Sequence, residues 1–399
     1  MARAVKGESG GRRRGGGGRR AAAGWQPRVA RGLVAGVSAV GVSAAGWAAG
    51  PALSLAAGDA ASIPGVRVQQ TNLVSDIPGV ARTTDPRLVN PWGLALSPSS
   101  PVWVSDNGTD VSTLYAGGSK SGPLSPVPLV VSIPAGAPTG QVFNGTSGFV
   151  VRGTDGSSGP AAFLFDSEAG VISGWNPGVP KPAPGRVSTR AVRAVTVPGA
   201  VYKGLAIGDT GRGRVLYAAN FVQGRVDVFD SHFRLLRRPG AFRDPTLPAG
   251  YAPFNVANLG GRLYVTYGKQ QRGSADEAHG PGLGLLDVYT LSGRFLRRLV
   301  THGPLDAPWG LELAPPSFES HAGDLLVGNF GDGRIYLLDP RTGAVRGTLV
   351  NSDGGPVAID GLWALLRGNG TAGARGDLLF SAGIADEAHG LLGTLRPTG

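Results

Sequence analysis

The chain has 399 residues, with 38 lysines and arginines against 27 aspartates and glutamates, a formal charge of +11 and no cysteine. The missing thiols exclude disulfides, thiolate metal sites, cysteine nucleophiles and a lipid-modified cysteine, so stability must come from burial of the 41% hydrophobic residues. The basic excess does not indicate nucleic acid as a partner: residues 1–58 carry nine bases and one acid, leaving +3 for the remainder, where the arginines are scattered rather than gathered in a patch.

In chain order, the first segment is basic: Arg3, Lys6, Arg12, Arg13, Arg14, Arg19, Arg20, Arg28 and Arg31 face the single acid Glu8. A charge-free stretch from Leu33 to Leu55 follows, then the small residues Ala56-Ala57-Gly58. That order reads as an export signal over residues 1–58, either cleaved or retained as an anchor, and predicts a secreted or envelope location. Membrane contact is then expected through this segment alone. Pro51 and the many glycines argue against a permanent span.

Residues 59–399 show internal repetition. Asn90-Pro-Trp-Gly-Leu-Ala-Leu-Ser-Pro98 returns as Ala307-Pro-Trp-Gly-Leu-Glu-Leu-Ala-Pro315. Each copy starts a short strand that is followed by an apolar strand, a Gly turn and a third strand. Six units of this order emerge. The first contains Trp92–Leu96, Val102–Gly108, Ser112–Tyr115 and Val127–Ile133. The second is the most degenerate, with Gln141–Asn144, Phe149–Val151, Ala162–Phe165 and Gly170–Trp175. The third contains Lys203–Ile207, Val215–Asn220 and Gly224–Asp230; the fourth Phe254–Ala257, Arg262–Tyr267 and Gly284–Tyr289. The fifth contains Trp309–Leu313, Asp324–Phe330 and Gly333–Asp339; the last Gly361–Leu365, Asp377–Phe380 and Gly390–Gly393.

A spacing of about 50 to 60 residues matches one four-stranded blade with its loops. The expected fold is all-β, a six-bladed β-propeller of four-stranded antiparallel blades. The 67 glycines and 31 prolines suit many tight turns and oppose a helical repeat. An open ring would leave unpaired edges. The lone segment Val66–Val74 is therefore expected to close it as the outer strand of the sixth blade.

Several apparent motifs carry no chemistry. Asp276-Glu-Ala-His279 and Asp386-Glu-Ala-His389 spell a helicase box, but no phosphate-cradling loop accompanies them. They read instead as paired loops before equivalent strands of the fourth and sixth units, structural or metal-binding. There is no Gly-x-Ser-x-Gly elbow. Asp106-Asn-Gly-Thr-Asp110 lacks the spacing of a calcium loop and reads as a turn, as do Asn220 and Asn329.

Aligning the starts of the innermost strands places Trp92, Thr139, Lys203, Phe254, Trp309 and Asp360 at one level, one per unit. In a ring of six, Lys203 then opposes Asp360, with Trp92 and Trp309 beside them, and a central ligand pocket is expected there. The alternative is that the tryptophans pack between blades and the two charges are solvated. Asn90, Asn144, Asn255 and Asp360 are the oxygen donors that could converge on an axial divalent cation such as calcium.

The segments Thr71–Asp76, Asp85–Gly93, Pro101–Gly108, Tyr251–Asn255, Ala307–Gly310, Gly328–Arg334 and Ile359–Ala364 resemble a family of uncharacterised exported bacterial propellers, some with a PEP-CTERM sorting tail. The likeness covers about residues 68 to 395. No such tail follows Arg396, so sorting by that route is not expected. Asn329-x-x-x-Gly-Arg-Ile335 and Gln223-Gly-Arg-Val226 are similar, more distantly, to NHL repeats. The resemblance implies the fold and no activity. Two functions remain open: a non-enzymatic module that binds an extracellular protein, glycan or small ligand, and a calcium-type hydrolase similar to six-bladed lactonases. Among the four oxygen donors only Asp360 is an anion, which favours binding over metal-activated water.

Overall fold

The structure, a computed structural model, describes residues 63–118, 122–301 and 303–398. The expected export segment lies outside the described residues. Among the described residues no helix is long and apolar enough to cross a membrane.

The described residues form one compact unit built from strands. Sheet 1 pairs Pro91–Ala95, Val102–Asp106, Val111–Gly117 and Leu124–Pro126 in that order, with Val131–Ser132 also on Val111–Gly117. Sheet 2 pairs Pro138–Phe143, Phe163–Ser167, Val171–Trp175 and Val192–Thr196. Sheet 3 pairs Tyr202–Asp209, Arg214–Asn220 and Arg225–Asp230. Sheet 4 pairs Tyr251–Leu259, Arg262–Gln270, Gly284–Thr290 and Phe295–Val300, with Glu277–Ala278 added to the second strand. One larger sheet has two arms. Sheet 5 is Pro308–Leu313, Leu325–Asn329, Ile335–Leu338 and Val345–Val350; sheet 6 is Leu362–Arg367, Leu378–Ala382 and Leu391–Pro397.

The N-terminal strand Gly65–Ser75 joins the two arms. Gly65–Arg67 run parallel to Thr348–Val350, and Val68–Ser75 run antiparallel to Leu391–Pro397. The segment expected as a fourth strand on the last unit does pair there, with Val68, Leu73 and Val74 buried.

Two expectations are corrected. Sheet 3 has three strands among the described residues rather than four, because the chain after Asp230 makes only a single bridge, Phe229 to Leu235, before Pro239-Gly240 turns it away. In the second unit, Val150–Arg152 is not a radial strand: it pairs with Ser158–Pro160 as a separate hairpin, and Phe163–Ser167 takes the second place.

Strand chemistry explains the layering. Second strands such as Val102–Asp106, Leu325–Asn329 and Leu378–Ala382 are buried at every residue, so both of their faces are covered and they read as continuous apolar runs. Outer strands such as Val192–Thr196 are partly exposed. The covering is supplied by the neighbouring sheets. Phe163 and Phe165 of sheet 2 pack on Trp103 and Leu114 of sheet 1; Leu216 and Phe229 of sheet 3 pack on Leu164 of sheet 2. Val265 and Tyr289 of sheet 4 meet Val215 and Tyr217 of sheet 3, and Leu325 and Tyr336 of sheet 5 meet Leu286 of sheet 4. Leu378 and Phe380 of sheet 6 meet Leu326 and Leu337 of sheet 5. Val102 and Tyr115 of sheet 1 meet Leu379 and Leu392 of sheet 6. Each fully buried aliphatic or aromatic side chain in these layers contributes roughly 1.5 to 3 kcal/mol. The first strands of the sheets touch one another in the order 1, 2, 3, 4, 5, 6 and back to 1.

Candidate functional site

All six first strands carry a register shift at the same place. Pairing with the second strand skips between Pro91 and Leu94, Pro138 and Gln141, Tyr202 and Leu205, Pro253 and Asn255, Pro308 and Gly310, and Leu362 and Leu365. A bulge bends a strand and re-aims the side chain at the skip. The first residues in the six skips are Trp92, Thr139, Lys203, Phe254, Trp309 and Trp363.

This ring agrees with the expected level at five positions and corrects the sixth. Asp360, expected as the sixth member, lies three residues before the residue found there, is exposed, and accepts the Ala385 N–H at 2.7 Å. Its place is taken by Trp363. The reason is local: Gly361 resembles the glycine of Pro-Trp-Gly but adopts φ +60 where a Cβ would lie 2.0 Å from the Gly383 carbonyl oxygen. The residue equivalent to Gly93 is instead Ala364.

The aromatic members of the ring fill its centre. Trp363 is fully buried and stacks on Trp92 at 3.5 Å between centroids and on Phe330 at 4.0 Å. Trp309 meets both tryptophans edge-on, and Phe254 is tilted against Trp363. Hydrogen bonds lock the rings: Trp363 Nε1 donates to Asn90 Oδ1 at 3.0 Å and Trp309 Nε1 to the Lys203 carbonyl at 2.7 Å. The strand edges that face inward would leave carbonyls unmet, and neighbouring sheets satisfy them. Asn255 Nδ2 donates to Trp309 O, Gln141 Nε2 to Gly93 O, and Ser381 Oγ to Trp92 O.

On one side of the ring lies a charged cluster. Lys203 has a side chain only 3% exposed; its Nζ lies 2.8 Å from Glu168, 3.5 Å from Asp276 and 3.9 Å from Glu277, and 5.0 Å from the Trp92 ring centre. Burial alone would lower the lysine pKa, but Glu168 and Glu277 outweigh it and hold the ammonium above its ordinary range. Asn90 Nδ2 donates to Glu387 at 3.0 Å, and Asn107 Nδ2 to Glu168 at 3.2 Å. Burial first, then the Glu277 carboxylate, push Glu387 up to about 7. Glu277 is also raised, by burial, against the pull of Lys203. Two buried polar atoms here, Glu277 Oε2 and Trp92 Nε1, make no hydrogen bond among the described residues.

These acids follow from the strand register. On the second strand, the residue before each skip pairs with Asp106, Ser167, Asn220, Tyr267, Asn329 or Ala382, and the next residue along is Asn107, Glu168, Phe221, Gly268, Phe330 or Gly383. The space beside Gly268 is filled by its duplicated loop, and the space beside Gly383 by Asn90, which hydrogen-bonds Glu387 of the other duplicated loop. A Cβ on Gly268 would lie 3.4 Å from Glu277 Cβ, and Glu387 is tied back to Gly383 through its backbone N–H at 3.3 Å. Matching anchors hold the loops. Gly280 N–H donates to Asp306 and Gly390 N–H to Asp76, with His389 Nδ1 2.7 Å from Asp76. The repeated Asp-Glu-Ala-His segments are thus paired loops that each point a glutamate at one site. The identical context in the sequence was the signal for this. Glu168 had no such signal.

On the other side of the ring, a cavity of 360 Å³ follows the first strands. Gly93, Gly140, Asn255, Trp309 and Ala364 form its inner end, and Ile207, Ala257, Glu312 and Leu366 lie farther out. Its outer residues Asn258, Leu259, Glu312 and Leu366 also border a shallower depression of 580 Å³. Glu312 is the one ionisable group among the lining residues, and both its oxygens accept backbone N–H groups, from Leu313 at 2.9 Å and Arg367 at 3.1 Å.

The four oxygen donors expected around a cation do not converge. Asn144 lies beyond the far end of its strand and bonds Ala161 O, Gly148 O and Thr146. Asn255 is committed to Trp309 O and Val256 N–H, Asn90 to Trp363 and Glu387, and Asp360 to the Ala385 loop. Among the described residues no group of three or more histidines, aspartates and glutamates has metal-binding geometry.

No family model matches the chain. Two proteins of Acanthamoeba polyphaga mimivirus are similar to it: Uncharacterized protein R648, 34% identical over 331 residues covering 81% of this chain and 78% of that protein, and Uncharacterized protein L690, 33% identical over 332 residues covering 81% and 84%. The expected kinship with exported bacterial propellers is corrected by these relatives, which are those of a giant virus. The motifs that suggested it are strand starts and turns, which report blade geometry and not host or compartment. Among solved structures, a streptogramin B lyase aligns over 83% of this chain and 97% of its own at 12% identity and TM-score 0.45. A nidogen/laminin complex aligns over 71% and 82% at 13% identity and TM-score 0.40. These likenesses carry no function to this chain, whose all-β architecture stands on its own sheets.

Proposed function

Because the chain belongs to the family of the giant-virus proteins R648 and L690, whose names assign no activity, we propose a function from its own geometry: a six-bladed β-propeller, closed by Gly65–Ser75, that binds a small molecule non-covalently in its axial channel. Six apolar layers between successive sheets, the last joining sheet 6 to sheet 1, support the blade count and the closure.

The observation that carries the binding reading is the channel wall. It has the volume of a small-ligand pocket, a blind inner end of packed aromatics, and one carboxyl whose oxygens are already occupied by backbone N–H groups. A wall of this kind offers shape and hydrogen bonds. It holds no nucleophile beside a base, which acyl or glycosyl transfer would require. The ligand is compact and mainly apolar, with polar groups toward Glu312 and Asn258.

The test uses the full chain. Small neutral compounds are screened by thermal shift, with tryptophan emission as a second readout because Trp309 forms part of the wall. Ala257→Trp, a half-buried wall position, should fill the channel and abolish binding while leaving the near-ultraviolet dichroism of a folded protein. Ligands that bind Ala257→Trp as tightly as the parent would refute the channel as their site.

A further inference from the structure

The cluster on the opposite side of the ring has a composition the channel does not share, and nothing in the channel reading uses it. One lysine ammonium faces four carboxyls: Glu168, Asp276, Glu277 and Glu387. They come from three different sheets, and three of them, Asp276, Glu277 and Glu387, arrive on the duplicated loops. The rest of the chain beyond residue 58 is slightly basic, so this concentration of acid is local rather than general.

An acidic cluster can be satisfied internally, but here it is not. Glu277 has a side chain 5% exposed, and its Oε2 accepts no hydrogen bond; its nearest cation, Lys203 Nζ, is 3.9 Å away and closer to Glu168. A buried acceptor without a donor is costly, and an ammonium or guanidinium would supply both a donor hydrogen and the positive charge that three neighbouring carboxyls favour. The half-buried ring of Phe330 lies 5.1 Å from the exposed His279, which follows Glu277 by two residues on the same loop, an aromatic surface suited to an organic cation. Glu168 at 29% and Asp276 at 63% side-chain exposure give the approach from solvent.

We propose that this mouth is a second ligand site, independent of the channel, that takes a small organic cation bearing an ammonium or guanidinium group. Glu277 and Glu387 receive the cationic head, Glu168 and Asp276 attract it from solvent, and Lys203 fixes the acids in place without neutralising all of them.

Agmatine, which carries both head groups, is the probe. Calorimetric titration into the full chain at near pH 8 should show saturable binding, weakened at least about tenfold by Glu277→Gln and by Glu387→Gln and unchanged by Ala257→Trp. If Glu277→Gln does not fold, the part-exposed Glu168→Gln takes its place and should weaken binding in the same direction. Absence of agmatine binding, equal affinity in the folded glutamine variants, or equal binding of magnesium at matched charge would each overturn the proposal.

Discussion

Replacing Lys203 by methionine keeps most of the side-chain volume and removes the ammonium from a site where it is 3% exposed. Three acids lose their counter-charge, but not equally. Glu168, at 29% exposure, can turn toward water. Glu277, at 5%, cannot, and is left as a buried carboxylate without hydrogen bond or cation on Oε2. Breaking one side of a buried pair costs about 3 to 5 kcal/mol, which for a domain of this size lowers the melting temperature by roughly 4 to 7 °C. The sign of the pH dependence is the sharper test. The folded-state pKa values of Glu277 and Glu387 are already raised, so their contribution to stability is fully present below the ordinary glutamate pKa and is lost as pH rises through the folded value. Without Lys203 those values rise further. The destabilisation should therefore be large at about pH 8 and shrink toward about 1 to 2 kcal/mol near pH 5, where the acids bind protons. The wild-type lysine, raised in turn, stays charged at both pH values. Urea unfolding of the two proteins at both pH values measures this. Equal losses at both, or a loss below about 1 kcal/mol, would refute the electrostatic account of the cluster.

Deleting residues 65–75 from the full chain should leave Leu391–Pro397 paired on one side only, with Leu378–Ala382, and remove Val68 from the layer that covers Leu378 and Phe380. The expected outcome is loss of a single cooperative melt by calorimetry, and an unchanged melt would refute the closing role. Trp363→Ala removes a fully buried ring stacked on Trp92 and Phe330 and leaves Asn90 Oδ1 without its donor. It should cost about 3 to 5 kcal/mol in urea unfolding, whereas Asp360→Ala, an exposed loop position, should cost under about 1 kcal/mol.

How far the site was legible depended on which element carried each residue. Trp92 and Trp309 stand in near-identical Pro-Trp-Gly contexts because the bulge after them brings backbone close to the next sheet: a Cβ on Gly93 would meet Thr139 O at 2.5 Å, and one on Gly310 would meet Trp363 O at 2.8 Å. Lys203 and Phe254 could be placed from the following strands. Trp363 could not, since Ala364 replaces the marker glycine and Gly361 imitates it three residues early. The acids were hidden for a different reason. Ring positions on strands recur with a fixed register, but Glu277 lies nine residues beyond Gly268 and Glu387 four beyond Gly383, and loop length hides spatial equivalence. The third sheet and the hairpin of the second unit were misread where turn residues, not strand periodicity, decide the pairing.

The arrangement of acids around the ring makes one further outcome predictable. Glu168, Glu277 and Glu387 belong to sheets 2, 4 and 6, while Lys203 belongs to sheet 3 and pairs with its two neighbours. Among the described residues Glu387 has Asn90 as its one side-chain hydrogen-bond partner, and it sits in the field of Glu277. It is therefore the member pushed up to about 7, and its ionisation opposes folding. Glu387→Gln keeps the acceptor for Asn90 and removes the charge. Because the raised carboxyl supports the fold below its ordinary pKa and loses that support as pH climbs through about 7, the variant should match the parent near pH 5. It should exceed the parent's stability at about pH 8 by roughly 1 to 2 kcal/mol, after allowance for solvent screening of a partly exposed group. A residue kept only for structure would not be improved by its loss, whereas a binding carboxylate held at a cost to stability would be. Urea unfolding at the two pH values decides it: a variant less stable than the parent at about pH 8 would make Glu387 a structural acid and remove it from the proposed cation site.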